Sequence, residues 1–382
     1  MNKPLKVLII EDSECDALLL LGHLRHGGYD PQSRRVDNAA DLADALRQQN
    51  WDIIFSDHNM PGFSSTVALE MVRAVNADIP FIIVSGSIGE EVAVSSMKAG
   101  AQDYLMKGHL AHLVAAVDRE LKEADDRRVR KVAERTLLIR EDELRIAREI
   151  QQHLFPAASP ANASYDMAGA SCPAEATGGD YFDFLVGPQG EVFVVVGDVT
   201  GHGLGPALLM ADVRAYLRAL VRSSRSLEEV MVQARHLLVE DLGNDRFITL
   251  LFAQFFPLSG TMDYINAGHP AGYVMAADGT LRDELKAGAP ALGIDAEVQP
   301  LISKRVALKK GDLVLFITDG LLETVSPSGE EFGMPRVLEI VRRERGFPST
   351  DIIRVLFDEV RRFKGSGDLL DDITAVVVKC QQ

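Results

Sequence analysis

The chain has little of what secreted, membrane-spanning or nucleic-acid-binding proteins rely on. Its 382 residues include three cysteines, Cys15, Cys172 and Cys380, widely separated along the sequence. That spacing offers neither a disulfide framework nor a zinc pattern. No stretch approaches the roughly 18 consecutive apolar residues of a membrane span. The apolar run near the start is short and ends on Glu11 and Asp12, unlike a signal peptide. Positive charge is also scarce: 40 Lys and Arg against 56 Asp and Glu give a formal charge of −16. Such a balance argues against non-specific nucleic-acid binding and against an anionic membrane surface. The expectation is a cytoplasmic protein with no nucleic-acid or membrane partner.

What is present is ordinary for a globular chain, 47% hydrophobic and 25% charged. The length suits two domains and a connector. In the first 125 residues, short continuous apolar runs (KVLII at 6–10, DIIFS at 52–56, PFIIVS at 80–85, DYLM at 103–106) alternate with amphipathic helical stretches. This pattern predicts a parallel sheet covered on both faces, with function at the carboxyl ends of its strands. Those ends carry Glu11 and Asp12, then Asp57, then Ser85, then Lys107. Any one of them could be an ordinary polar strand terminus. Together, three carboxylates require a counter-charge, which a hard divalent cation such as Mg2+ supplies. The lysine would neutralise an incoming anion, and a carboxylate beside Mg2+ can act as nucleophile toward a phosphoryl group.

With these residues in place, 5–125 resemble a two-component response-regulator receiver domain, an α/β doubly wound fold with a five-stranded parallel sheet. The resemblance implies that Asp57 is the phosphoacceptor and that a sensor histidine kinase is the upstream partner. It also implies that Glu11, Asp12, Asp57 and the Asn59 carbonyl hold Mg2+. Ser85, Tyr104 and Lys107 would be the switch and phosphate-contacting positions, with serine standing where threonine is commoner.

The stretch 117–155 contains no glycine or proline and is dense in good helix formers. Val132, Ile139 and Ile146 repeat every seven residues, with Ile150 on the same line. Leu137 and Leu144 form a second partial stripe. The expectation is a connector helix over 126–156, with one stripe packed on the following domain and the other pairing with a second chain as a coiled-coil homodimer.

From Ser171 onward short β-rich runs appear, interrupted by helical stretches near 205–222, 226–242 and 335–363. This texture predicts an α+β domain of packed sheets flanked by helices, within a unit spanning 157–382. Four segments bring an aspartate to a strand edge: GGDYFDF gives Asp180, GDVTGHG gives Asp198, TDG gives Asp319, and DDIT gives Asp371 and Asp372. Half-buried carboxylates with few cations nearby call for an oxygen-loving divalent metal. Two such metals sharing a carboxylate and a water would activate that water toward a phosphate monoester. The glycines around Asp198 would let the backbone approach closely enough for a carbonyl to join.

As a set, GGDYFDF, GDVTGHG, NAGHP, TDG and DDIT, with AREIQQHLFP upstream, resemble the metal-dependent serine/threonine protein phosphatases of the stage II sporulation protein E and sigma-B regulator type. The resemblance implies two Mn2+ or Mg2+ held by Asp180, Asp198, Asp319 and Asp371. Asp198 would bridge, the Val199 carbonyl would assist, and Asp372 would stand behind the ligands. Asp183 reads as a turn cap rather than a ligand. His202 is at a spacing unlike that of the catalytic histidine of eukaryotic relatives, and His269 reads as shaping the site. No arginine near Asp180 reads as a phosphate clamp, so the metals would hold the substrate phosphate. The implied substrate is a phosphorylated STAS-type anti-sigma-factor antagonist. The competing reading is a catalytically inactive adaptor that binds a sigma factor or its regulator. Four intact aspartates favour the enzyme, and no motif supports a nucleotide cyclase.

Overall fold

A computed structural model describes residues 2–86, 97, 100–160, 162–224, 226–243, 246–294 and 300–382. The chain divides into two compact units, Met1–Ile139 and Arg140–Gln382. In the first, strands β1 (Lys3–Ile10), β2 (Tyr29–Val36), β3 (Ile53–Asp57), β4 (Phe81–Ser85) and β5 (Asp103–Met106) form a parallel sheet in the order β2-β1-β3-β4-β5. Helices α1 (Glu14–His26), α2 (Ala39–Gln48) and α3 (Ser65–Val75) follow the first three strands. Two apolar layers explain the continuous hydrophobic runs. Leu8, Ile10, Ile54, Phe81 and Ile83 pack one face of the sheet; Val7, Ile9, Ile53, Phe55, Ile82 and Val84 pack the other. The helix starts are capped by Ser13, Asn38 and Ser64, whose side chains accept from backbone N–H groups of the first turn. Strand β2, YDPQSRRV, has no continuous apolar run. It is an edge strand with mostly polar outward residues.

A single helix, α4, runs Leu113–Gln152, 40 residues or about 60 Å. Leu113, Ala116 and Val117 bury its beginning against the first sheet. The expected boundary at 125/126 falls inside this helix, so the connector continues the last helix of the first unit. Val132, Leu137, Ile139, Leu144, Ile146 and Ile150 are all exposed. Neither stripe is covered among the described residues, which corrects the expectation that one of them packs on the following domain.

The second unit stacks two five-stranded antiparallel sheets between two helical layers. One sheet has the order β13-β10-β9-β8-β7, built from Lys304–Ala307, Thr261–Ala267, Ile248–Phe256, Val192–Val199 and Tyr181–Val186. The other has the order β12-β11-β14-β15-β6, built from Leu281–Leu285, Gly272–Met275, Leu313–Ile317, Ile373–Cys380 and Tyr165–Cys172. Helices α5 (Leu204–Leu220) and α6 (Leu227–Leu242) cover the first sheet, with Phe193, Val195, Phe252, Met210, Val213 and Leu238 between the layers. Helices α8 (Gly333–Glu344) and α9 (Ser349–Lys364) cover the second, and the short α7 (Asp319–Glu323) follows β14. Val194, Val196, Leu251, Phe255, Phe316 and Val376 fill the space between sheets. Strand β8 is therefore apolar on both sides, which is why VFVVV does not alternate.

Asp183 is not a turn cap. It sits within β7, fully buried, where Arg218 of α5 donates to both of its oxygens at 2.7 and 2.9 Å and the Tyr181 hydroxyl donates at 2.8 Å. This ion pair ties α5 to the sheet. Asp183→Ala should lower the unfolding free energy by roughly 3 kcal/mol, the low end for a broken buried pair because Arg218 keeps partial solvent contact. Urea unfolding would measure it, and a loss below about 1 kcal/mol would show that the pair adds little.

Candidate active site

At the carboxyl edge of the N-terminal sheet, Glu11, Asp12 and Asp57 each bring a carboxylate oxygen within 4.8 Å of the others. Lys107, which follows β5, is fixed by its backbone N–H donating to the Ser85 carbonyl at 2.8 Å. Its Nζ lies 2.8 Å from Glu11, 2.8 Å from Asp57 and 2.6 Å from Asp16. Burial works against the lysine's charge, but hydrogen bonds to Asp16, Asp57 and Glu11 outweigh it and hold its pKa above the usual range. Burial raises the Glu11 carboxyl, against the Lys107 and Ser13 hydrogen bonds that lower it. Ser85 is buried at the end of β4, and Tyr104 is half-buried in β5. Asn59 begins a two-residue strand, Asn59–Met60, just beyond Asp57. Sequence reasoning missed Asp16. It lies in the first turn of α1 rather than at a strand end, so the strand-edge pattern could not reveal it. The donors are all hard oxygens around a crowded anionic centre, a set that fits Mg2+.

In the C-terminal unit the aspartates gather at one end of the paired sheets. Asp180 precedes β7 and is buried; Asp198 is the next-to-last residue of β8; Asp319 opens α7 after β14; Asp371 and Asp372 precede β15. Burial, then the charges of Asp319, Asp371 and Asp372, push the Asp198 carboxyl up to about 7. Burial and the neighbouring Asp198 raise Asp180 well above the carboxylate range. Asp319 is raised by burial and by Asp371. Burial, opposed by the Asp372 N–H, is the main cause raising Asp371. Four acids, each raised by burial and by at least one neighbouring carboxylate, fit a site for hard cations. Among the described residues, no three of them are as tightly grouped as the N-terminal trio.

The glycines explain how the backbone comes so close. A Cβ on Gly179 would lie 2.4 Å from the Val199 carbonyl and 3.1 Å from Asp198 Oδ1, and one on Gly320 would lie 2.2 Å from the Asp372 carbonyl. Beyond Asp198, Gly201 and Gly203 have φ of +98° and +83°, which a side chain would strain.

Thr318, unremarked in the sequence, and Asp372, expected to stand behind the ligands, orient the aspartates. The Thr318 hydroxyl accepts from Thr374 N–H at 2.9 Å and donates to Asp180 Oδ2 at 2.8 Å, so its proton direction is set. Asp372 is buried and accepts from the N–H groups of Ala174 and Gly179 at 2.8 and 2.7 Å, a backbone anchor. The Thr318 role leaves no sequence signal, since it depends on partners more than 50 residues away. Arg246 is exposed, with its guanidinium 3.0 Å from where a Gly205 Cβ would stand at the start of α5.

His202 is exposed and pairs with Glu175 at 2.9 Å. His269 is buried; its Nδ1 faces the Thr249 hydroxyl at 2.8 Å and its Nε2 faces the Ile317 carbonyl at 3.1 Å. A carbonyl can only accept, so Nε2 carries the proton and Nδ1 accepts from Thr249. Burial pushes its pKa down to about 3. A histidine depressed below its unfolded value of about 6.5 gives stability that is complete above that value and is lost as pH falls toward 3. Between pH 7 and pH 5 the loss attributable to His269 should be about 2 kcal/mol. Comparing urea midpoints of the wild type and His269→Gln across that range isolates it. Parallel curves would refute the neutral buried imidazole.

Both units have relatives. Residues 188–381 match Stage II sporulation protein E, and residues 7–118 match the response regulator receiver domain. The chain belongs to the Stage II sporulation protein E family. It joins a receiver domain to a phosphatase domain of the metal-dependent serine/threonine type. Protein IcfG of Synechocystis is 24% identical over 97% of this chain, which spans 58% of IcfG. Phosphoserine phosphatase RsbU of Bacillus subtilis is 24% identical over 62% of this chain and 70% of RsbU. The SiaA-PP2C domain of Pseudomonas aeruginosa shares the fold, with a TM-score of 0.55 at 20% identity, covering 64% of this chain and 98% of that one. No helix among the described residues is long and apolar enough to cross a membrane.

Proposed function

We propose that this protein is a response regulator in which phosphorylation of Asp57 controls removal of phosphate from a phosphoserine or phosphothreonine protein. The observation that carries the reading is the convergence of Asp180, Asp198, Asp319 and Asp371 from four segments onto one sheet end, with glycines where their backbones meet. These four carboxylates, with the Val199 carbonyl, would hold two Mn2+ or Mg2+. When bound, the cations supply charge neutralisation and a water acidic enough to be a nucleophile near neutral pH. The protein's part is to hold the ligands still. Thr318 fixes the free rotation of Asp180, Asp372 fixes the backbone around it, and the buried neutral His269 supports the end of β14 by donating to Ile317.

In the receiver, Glu11, Asp12 and the Asn59 carbonyl would hold Mg2+ beside Asp57, and Lys107 would pair with the incoming phosphoryl oxygens. A sensor histidine kinase is the fitting donor. RsbU is a phosphoserine phosphatase by name, which supports a phosphoserine protein as the substrate here; a phosphorylated STAS-type anti-sigma-factor antagonist is the one that the sequence resemblance implies. The exposed stripes of α4 support a homodimer formed along that helix.

The test is hydrolysis of p-nitrophenyl phosphate with Mn2+, with and without beryllofluoride, with light scattering on the same samples. Metal-dependent turnover that changes with beryllofluoride is expected, together with a dimer. Absence of both turnover and Mn2+ binding would sink the enzyme reading, and a monomer under beryllofluoride would sink the dimer.

A further inference from the structure

The last turn of α4 makes a polar contact that neither the fold nor the carboxylate site accounts for. Gln151 is buried, and its side-chain amide grips one residue twice. Its Oε1 accepts from Gly178 N–H at 3.1 Å, and its Nε2 donates to the Gly178 carbonyl at 2.6 Å. Gly178 stands two residues before Asp180. The following residue is held from other directions. Gly179 N–H donates to Asp372 Oδ2 at 2.7 Å, and the Gly179 carbonyl accepts from Val199 N–H at 3.3 Å. All four backbone polar groups of the two glycines are thus satisfied, and Gln151 supplies both partners of the first.

These glycines cannot carry side chains to fix themselves. A Cβ on Gly178 would fall 2.0 Å from Asp372 Oδ2, and one on Gly179 would fall 2.4 Å from the Val199 carbonyl. Glycine also has the most conformational freedom to lose. The turn that presents Asp180 therefore takes its shape from outside partners. A primary amide suits Gly178 because it offers one donor and one acceptor to one N–H and one C=O. A carboxylate lacks the donor, and a thioether lacks both.

Docking of the helix end has other supports. Phe155 stacks on Phe182 with ring centroids 5.4 Å apart, and Arg214 Nε donates to the Leu154 carbonyl at 2.6 Å. Burying an amide to repeat that task would bring desolvation cost without need.

We propose that Gln151 is a positioning residue for the phosphatase site: it fixes the Gly178–Gly179 turn and thereby the carboxylate of Asp180, setting the site's affinity for divalent cation. This rests on the reading of Asp180 as a metal ligand. The contact lies in the final turn of α4, so it is also where a displacement of that helix would first reach the carboxylates.

The experiment uses the full chain and Mn2+ alone as the probe. Calorimetric titration is compared for wild type, Gln151→Met, which keeps the volume and removes the amide, and Phe155→Leu, which loosens helix docking and keeps the amide. Gln151→Met should weaken Mn2+ binding at least ten-fold. It should raise the Mn2+ concentration for half-maximal turnover equally, while turnover at saturating Mn2+ stays within two-fold. Hydrogen exchange at the Gly178 amide should accelerate more than ten-fold, with the amides of β8 unchanged. Phe155→Leu should leave Mn2+ affinity within two-fold. If Gln151→Met does not fold, Gln151→Asn, one methylene too short to reach Gly178, is read by the same criteria. Unchanged Mn2+ affinity in the Gln151 variant, or an equal loss in Phe155→Leu, overturns the proposal. A wild type that takes up no Mn2+ overturns the metal reading itself, a different signature from wild-type binding that the variant preserves.

Discussion

Asp198→Ala should abolish metal-dependent turnover, a loss of about a thousand-fold or more, equivalent to roughly 4 kcal/mol of barrier. The same substitution should make the metal-free protein more stable. Asp198 sits among Asp319, Asp371 and Asp372, and burial with those charges raises its carboxyl to about 7. An acid raised above its unfolded value of about 3.9 binds more protons folded than unfolded. Its contribution to stability therefore falls as pH climbs from about 4 through 7 and is at its worst above that. Alanine removes the penalty. In chelator at pH 8, Asp198→Ala should melt higher than wild type, and the gap should close as pH falls toward 4. Chemistry and stability are thus expected to move in opposite directions at one residue. A variant that keeps its turnover would remove Asp198 from the site. A variant that is inactive but less stable in chelator at pH 8 would mean that the carboxylate is held by partners rather than repelled by its neighbours.

Asp57→Ala should reduce the effect of beryllofluoride or acetyl phosphate on turnover to nothing, so that the ratio of stimulated to unstimulated rates becomes one, whichever direction the wild type takes. The argument is local. Asp57 is one of three carboxylates whose oxygens lie within 4.8 Å of one another. It is also one of three that Lys107 touches, together with Glu11 and Asp16. A phosphoryl group on Asp57 adds negative charge where Lys107 already divides its hydrogen bonds, so the lysine must redistribute them. Alanine can accept no phosphoryl group and leaves Lys107 with Glu11 and Asp16. Radiolabel from acetyl phosphate should be absent from the variant. Persistent label, or a persistent response, would place the input at another residue.

The sequence was most legible where a buried strand ends abruptly. Continuous apolar runs terminating in Asp57 or Asp198 mark both the sheet and the edge at which chemistry collects, because a strand covered on both faces leaves polar groups only at its ends. It was least legible where a side chain acts through a distant partner. Asp183 sits in GGDYFDF beside Asp180, yet faces Arg218 and Tyr181 inside the core. Thr318 and Gln151 look like neutral residues in a strand end and a solvated helix until Asp180 and Gly178 are brought to them. Asp16 is an ordinary first-turn acid of α1 until Lys107 arrives from β5. Spacing along a chain cannot report contacts that only folding creates.

The uninterrupted course of α4 has a consequence for how length and angle are related in this protein. With no glycine or proline over its 40 residues, the helix keeps one continuous 3.6-residue repeat from end to end. Each residue added or removed within the helix would shift its side-chain stripes on either side of the change by about 100° relative to each other, and seven would return them to within about 20°. The connector's residue count therefore works as a phase setting. Sequence changes that preserve every side chain of both sites could still break the exposed stripes of this helix by altering that count, and a whole heptad would leave them nearly in line.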